Sequence, residues 1–320
     1  MQVIMFSLDK NLFIVGTEAR ARVQEWKVGK DKLWILIPDK RVIKEEIEPG
    51  VWLISSGGRN KFRQWQNLFR IARRLSAENQ ITEITSQDPF FLSLLSWLVR
   101  QSGQVWEIQL HGDYFSSSYY RDHHRWRYLL LSFLLLRADR VRVVGQRVAE
   151  SVKKRGVQEG RLVTRPVSIP VSQETNALVR EKKTFVFLGR LDPVKNLCWL
   201  IEVFADVVTV DPGCRLWLVG SGPEKNKLEK LIVQKRLENN VQLLGWVQNP
   251  QDYLQKATAL LFPSLSEGYG RVVMEARAIG CPVIMADVGV SGYEVLPSPD
   301  VHILPWQKQK WVELIKQYAG

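Results

Sequence analysis

Between Thr184 and Ala286 the chain alternates short apolar runs with helix-like segments so regularly that few folds remain open to it. Residues 184–189 (TFVFLG), 215–219 (RLWLV), 241–244, 259–262 and 283–286 each read as a buried strand. Helical stretches separate them at 196–208, in a Lys/Leu/Glu-rich segment ending near Arg236, at 251–256 and at 270–279. Glycine and proline supply the punctuation. Gly220-Ser221-Gly222-Pro223 closes the second strand, Gly280 falls where a left-handed C-cap is wanted, and Pro282 enters the next strand. Strand–helix alternation with such short connections predicts a parallel sheet covered on both faces.

The N-terminal half is less regular but of the same class. Strands are expected at 3–7, 33–37, 51–55, 81–85, 105–110 and 141–144, and helices at 61–75, 89–101, 121–137 and 147–155. Pro166, Pro170 and a polar stretch interrupt the pattern up to Lys183, so the boundary is placed between domains 1–170 and 171–320. A length of 320 residues suits two domains of ~150. Two Rossmann-like domains joined this way open a cleft at the carboxyl ends of their strands, where ligands bind in open α/β sheets.

Composition narrows the partners. A hydrophobic fraction of 45% with 24% charged residues excludes wholesale disorder. Three cysteines, Cys198, Cys214 and Cys281, without a CxxC pair exclude a disulfide framework and a Cys-rich zinc site, and suit a reducing compartment. The opening residues 1–9 lack a basic leader and read as a first strand. The longest apolar run, 128–136, is far short of the ~20 residues needed to span a bilayer. A soluble, cytoplasmic chain is expected. Of the net charge of +12, residues 1–180 supply nearly all, with 29 Lys+Arg against 18 Asp+Glu. That half should meet an anionic partner. Its basic residues are interleaved in no nucleic-acid-binding motif, so no nucleic acid is expected. Arg121, Arg125 and Arg127 beside Tyr119, Tyr120 and Trp126, directly before run 128–136, suit the headgroups of an anionic membrane. Arg59, Lys61, Arg63, Arg70, Arg73 and Arg74 add a second cluster. The alternative is a core helix flanked by solvated arginines.

The strongest local signal is Ser264-Leu265-Ser266-Glu267-Gly268-Tyr269-Gly270-Arg271-Val272-Val273-Met274-Glu275-Ala276, which joins a buried strand to a helix. Gly268 and Gly270 allow the backbone to approach a ligand, and a helix N-terminus beside them favours phosphate. A Gly-rich turn alone is commonly a tight connection. Glu267 and Glu275 make this one different, because carboxylates there accept hydrogen bonds from sugar hydroxyls.

With that spacing, E-x7-E after a strand, the segment resembles the donor motif of family 4 glycosyltransferases, retaining enzymes of the GT-B fold. Phe187-Leu188-Gly189-Arg190-Leu191 with Lys195-Asn196 agrees, as do Leu218-Val219-Gly220-Ser221-Gly222-Pro223-Glu224, Phe262-Pro263-Ser264 and Ala278-Ile279-Gly280-Cys281-Pro282. The resemblance implies two Rossmann-like domains facing each other across a cleft, a donor-binding C-terminal domain and an acceptor-binding N-terminal one. It implies that Arg190 and Lys195 hold the diphosphate of a nucleotide-sugar donor beside Gly189, with the backbone of Gly268, Tyr269 and Gly270 completing the cradle. Glu275 would bind the ribose and Glu267 the transferred sugar. Trp246 would lie near the nucleobase or else serve packing. In the N-terminal half, His111 after a strand is expected beside the donor sugar, and Gly16 against the diphosphate. Asp88 ends another strand, lining the cleft or capping the next helix.

Two departures stand out. The chain stops after residues 311–318, about where many relatives continue into a terminal crossover helix, and the usual glycine pair is reduced to Gly16. No DxD-type carboxylate pair ends a strand, so no metal site is expected and no cofactor beyond the donor substrate. The expected function is retaining transfer of a sugar from a nucleotide-diphosphate donor to an acceptor hydroxyl on a glycan or lipid-linked acceptor. A nucleotide-sugar epimerase or hydrolase, and a non-catalytic nucleotide-sugar-binding relative, share the donor half and remain alternatives.

Overall fold

The apolar runs become two separate sheets. The computed structural model describes residues 1–115, 118–167 and 180–320. The first compact unit comprises residues 1–111, 123–143 and 149–165; the second comprises 112–122, 144–148 and 166–320. The boundary expected between 170 and 171 lies outside the described residues.

In the first unit the strands are β1 (Gln2–Phe6), β2 (Lys32–Ile37), β3 (Lys44–Glu48), β4 (Val51–Ser55), β5 (Glu83–Ser86), β6 (Val105–Leu110), β7 (Arg140–Val143) and β8 (Leu162–Thr164). They lie in the order β3-β4-β2-β1-β5-β6-β7-β8, with only the β3–β4 pair antiparallel. Alternation along each strand feeds two cores. Ile4, Phe6, Trp34 and Leu36 pack on one face with Leu68, Leu92 and Leu95, while Val3, Met5, Leu33 and Ile35 pack on the other with Leu12 and Val23. Helix Lys61–Glu78 begins where the side chain of Asn60 accepts from Arg63 N–H at 2.9 Å. The expected helix 121–137 is two helices, Tyr119–His123 and Arg125–Leu135, separated where His124 leaves helical geometry (φ −138°, ψ 47°).

The second unit contains β9 (Thr184–Leu188), β10 (Arg215–Val219), β11 (Val241–Gly245), β12 (Ala259–Phe262), β13 (Val283–Ala286) and β14 (Val301–Leu304). Their order is β11-β10-β9-β12-β13-β14, and every pair is parallel. Successive strands step one way from β9 and the other way from β12, so the topological switch point of this doubly wound sheet lies between them. Helix Leu197–Val210 covers the sheet with Phe204 against Phe185, and helix Lys308–Ala319 packs Trp311 on Trp199 of the same unit.

The loops leaving β9 and β10 run so close that Gly220 admits no side chain. A Cβ there would lie 1.9 Å from the Gly189 carbonyl oxygen, and its φ is +138°. Gly189 N–H donates to Val219 O, and Leu191 N–H to Ser221 O, both at 3.0 Å. Gly220→Ala must push these loops apart. It should lower the free energy of urea unfolding by roughly 1–3 kcal/mol.

Candidate functional site

The switch point of the second unit gathers most of the residues singled out in the sequence. After β9 the chain passes through Gly189, Arg190 and one tight turn, Pro193–Lys195, before Asn196 in the left-handed region (φ 57°) opens helix Leu197–Val210. After β12 it runs through Pro263–Gly270 into helix Arg271–Ala278. Leu265 N–H donates to Val194 O at 2.8 Å, which ties the two loops side by side. Across that tie, Lys195 Nζ forms an ion pair with Glu267 Oε1, both side chains mostly buried. The ammonium also lies 5.8 Å from the centre of the Phe262 ring.

Glu275 is paired as well. Arg271 Nε, one helical turn earlier, meets its Oε1 at 2.6 Å. Gly270 is the N-cap in left-handed geometry (φ 84°, ψ 51°), and no side chain caps the helix. A helix start without a side-chain cap is a place where an anion is favoured. Gly268, Tyr269 and Gly270 are all buried there. Arg190 is exposed and bonds Asp192 at 2.9 Å; the structure pairs it with neither glutamate. Trp246, past β11, is 76% exposed, which removes the core-packing alternative.

Some site residues went unread in the sequence. Arg271 was visible only as part of a helix, although its i,i+4 spacing to Glu275 carried the signal. Ser264 Oγ is fully buried at the end of β12 without a hydrogen-bond partner. Arg147, within the short 144–148 segment of this unit, holds loop 287–294. It donates from Nε to Gly289 O at 3.1 Å and from Nη2 to Ser291 O at 2.7 Å, and pairs with Asp287. Ser266 Oγ donates to Asp113 O at 2.7 Å. No sequence signal links residues 140 or more positions apart.

Two expected residues belong to the first unit. Gly16 lies beyond the turn Lys10–Phe13 with φ +84° and nothing within 4 Å of a Cβ, so its backbone is open to approach. His111 follows β6. Two residues before it, Gln109 is anchored by Nε2 donating to Thr85 Oγ1 at 2.8 Å, and Ser7 Oγ donates to Gln87 Oε1 at 2.7 Å beside this unit's own switch point. Asp88 caps: its Oδ1 accepts from Leu92 N–H at 3.0 Å. The His111 ring reaches solvent, yet the surrounding protein, then the charges of Arg142 and Arg22, lower its pKa to about 4. At neutral pH it is an uncharged hydrogen-bonding group. Because the shift is downward, protonation should wait until well below the ordinary range near 6.5. A pH titration by NMR should show His111 neutral at pH 5.5.

The family profile described as Glycosyl transferases group 1 matches residues 169–317. An uncharacterized glycosyltransferase of Methanocaldococcus jannaschii is 34% identical over 134 residues, 42% of this chain and 33% of the relative. The N-acetylgalactosamine-N,N'-diacetylbacillosaminyl-diphospho-undecaprenol 4-alpha-N-acetylgalactosaminyltransferase of Campylobacter jejuni is 36% identical over 105 residues, 33% of this chain and 28% of the relative. The matched stretch thus spans about a third of the length of these curated relatives. Among solved structures, HepE of Anabaena in complex with UDP and glucose has a TM-score of 0.73 at 16% identity, covering 99% of this chain and 89% of that one. The likeness shows the fold to be GT-B, with a doubly wound sheet in each unit.

Proposed function

We propose that the chain is a retaining, family 4 glycosyltransferase moving a sugar from a nucleotide-diphosphate donor to an acceptor hydroxyl, a reading supported by the match of residues 169–317 to the group 1 glycosyl transferases. The observation that carries this reading is the Lys195–Glu267 pair across the switch point. A diphosphate would draw Lys195, and a sugar hydroxyl would donate to Glu267. Each buried charge then exchanges one partner for another instead of being stranded. Arg190, exposed on its loop, would join Lys195 on the diphosphate beside Gly189. The N-terminal turn at Gly268, Tyr269 and Gly270 would supply backbone N–H groups. Charge that grows on the departing diphosphate is then met by fixed donors. Glu275, with Arg271 fixing its rotamer, would accept from the ribose. Trp246 would present its exposed ring to the base.

His111, held neutral, would hydrogen-bond the transferred sugar, and Gly16 would let backbone approach the diphosphate. HepE was solved with UDP and glucose, which makes a uridine diphosphate sugar the first donor to test. The Campylobacter relative's name specifies a diphospho-undecaprenol acceptor, in keeping with a lipid-linked or other glycan acceptor here. We place the chain in the cytoplasm, reversibly associated with an anionic membrane face. No helix among the described residues is long and apolar enough to cross a membrane.

The test is release of nucleoside diphosphate. A transferase releases it when acceptor is added, whereas a hydrolase releases it without acceptor and a binding-only relative never does. Glu275→Gln should weaken UDP binding in calorimetry by about 1.5–3 kcal/mol, the value of a charge-assisted hydrogen bond. His111→Ala should keep nucleotide affinity and lose most transfer. Unchanged UDP affinity in Glu275→Gln would remove the ribose assignment.

A further inference from the structure

Three helices of the first unit, Lys61–Glu78, Phe91–Val99 and Arg125–Leu135, each bury one side: Leu68 and Ala72, Leu92 and Leu95, Leu131 and Leu134. The outer side of helix Lys61–Glu78 is basic, whereas those of the other two are apolar. Phe91, Leu98, Trp126, Leu129, Phe133 and Leu136 are between 41% and 59% exposed. Positions 126, 129, 133 and 136 follow helical spacing, so they form one outward stripe. Ring contacts join the helices into one surface: Trp65–Phe91 at 5.5 Å, Phe91–Trp126 at 5.2 Å and Trp97–Phe133 at 5.8 Å. Single exposed apolar residues are ordinary, but a contiguous apolar surface marks an interaction site.

Charge decides what it meets. Helix Lys61–Glu78 carries five Lys or Arg and one carboxylate, itself bonded to Arg74 at 2.7 Å. Helix Phe91–Val99 has no charged residue, and helix Arg125–Leu135 has two arginines and no carboxylate. The Arg127 guanidinium lies 5.2 Å from the Trp126 ring centre, and that of Arg137 lies 3.6 Å from the Phe133 ring centre. Cations thus frame the apolar stripe.

We propose that this three-helix face docks on an anionic lipid bilayer. Trp126, Leu129 and Phe133 enter the boundary between headgroups and acyl chains, and the flanking arginines meet lipid phosphates. A second copy of the chain fits poorly, because self-pairing would set cations against cations. Phe91, Trp126 and Phe133 are interleaved with Leu98, Leu129 and Leu136, a mixture that suits acyl chains better than a run of stacked nucleic-acid bases. The proposal specifies the surface behind the membrane association proposed above and rests on that localisation, not on the donor assignment. Vesicle binding and UDP binding are therefore read separately.

Co-sedimentation with vesicles of phosphatidylglycerol and phosphatidylcholine tests it. The bound fraction should rise with the anionic share and fall as salt rises. Leu129→Ser with Phe133→Ser should lower the partition coefficient by at least about tenfold, since two apolar side chains no longer leave water. That variant should keep its circular dichroism spectrum and UDP affinity. Arg125→Glu with Arg137→Glu should remove the preference for anionic vesicles. Lys230→Glu with Lys235→Glu, an equal charge change at exposed positions of the second unit, should alter binding by less than about twofold. Failure of the wild-type chain to sediment at low salt, or unchanged binding of the Leu129/Phe133 variant, would overturn the proposal. So would a wild-type dimer in analytical ultracentrifugation that this variant makes monomeric, because the face would then join two copies. Vesicle binding without UDP binding would leave the surface standing and bring down the donor reading.

Discussion

The candidate site depends on the reversal of strand order between β9 and β12. Right-handed crossovers carry the chain from β9 to β10 on one side and from β12 to β13 on the other. The two connecting helices therefore start on opposite faces of the sheet, and their preceding loops diverge. Only there do neighbouring parallel strands leave a gap that connecting loops do not fill. The chain bridges it with one backbone hydrogen bond, from Leu265 N–H to Val194 O, and one ion pair, Lys195 to Glu267. The tight passage of Gly220 past the Gly189 carbonyl then sets where Arg190 and Lys195 emerge.

That geometry resolves an electrostatic difficulty. Under the proposed function, two carboxylates beside the loop would repel the donor phosphate, at a strength that rises as water is excluded. Here Glu267 and Glu275 each hold a cation, so their charges are neutralised within the loop system itself. The two pairs differ in what they are free to do. Arg271 and Glu275 share one short helix, and their contact is local. Lys195 and Glu267 stand on separate loops, 72 residues apart, and can exchange each other for ligand atoms without either helix moving. Under the proposed function, affinity for an anion would come from the uncapped helix start, from Lys195 and from Arg190, which is paired with Asp192.

Most of this frame was legible because a doubly wound sheet writes itself into local sequence. Buried parallel strands are continuous apolar runs, and the expected 215–219, 259–262 and 283–286 coincide with β10, β12 and β13. Edge elements were not legible. β3 is KEEIE, a largely exposed antiparallel strand without an apolar signature, and β14 is four residues shut between turns. The motif located Glu267, Glu275, Arg190 and Lys195 but not their pairing, since an ion pair between loops is a property of topology. Arg147 lies further from reach. Its partners at 287, 289 and 291 are set by tertiary packing alone.

Segment 125–137 shows why the sequence left two readings open. Its leucines run almost unbroken, so apolar periodicity cannot name a buried side. Packing does: Leu131, Leu134 and Leu135 lie inside, while Leu129, Phe133 and Leu136 face outward. It is a core helix on one side and an apolar surface on the other. The outward side chains gain little by folding, because much of their area stays in water in both states. The neighbouring helix Phe91–Val99 extends the same surface through Phe91 and Leu98, so the exposure is not an accident of one helix end. Stability of the unit therefore accounts for one side of helix Arg125–Leu135, and the other side is the surface proposed above to meet lipid.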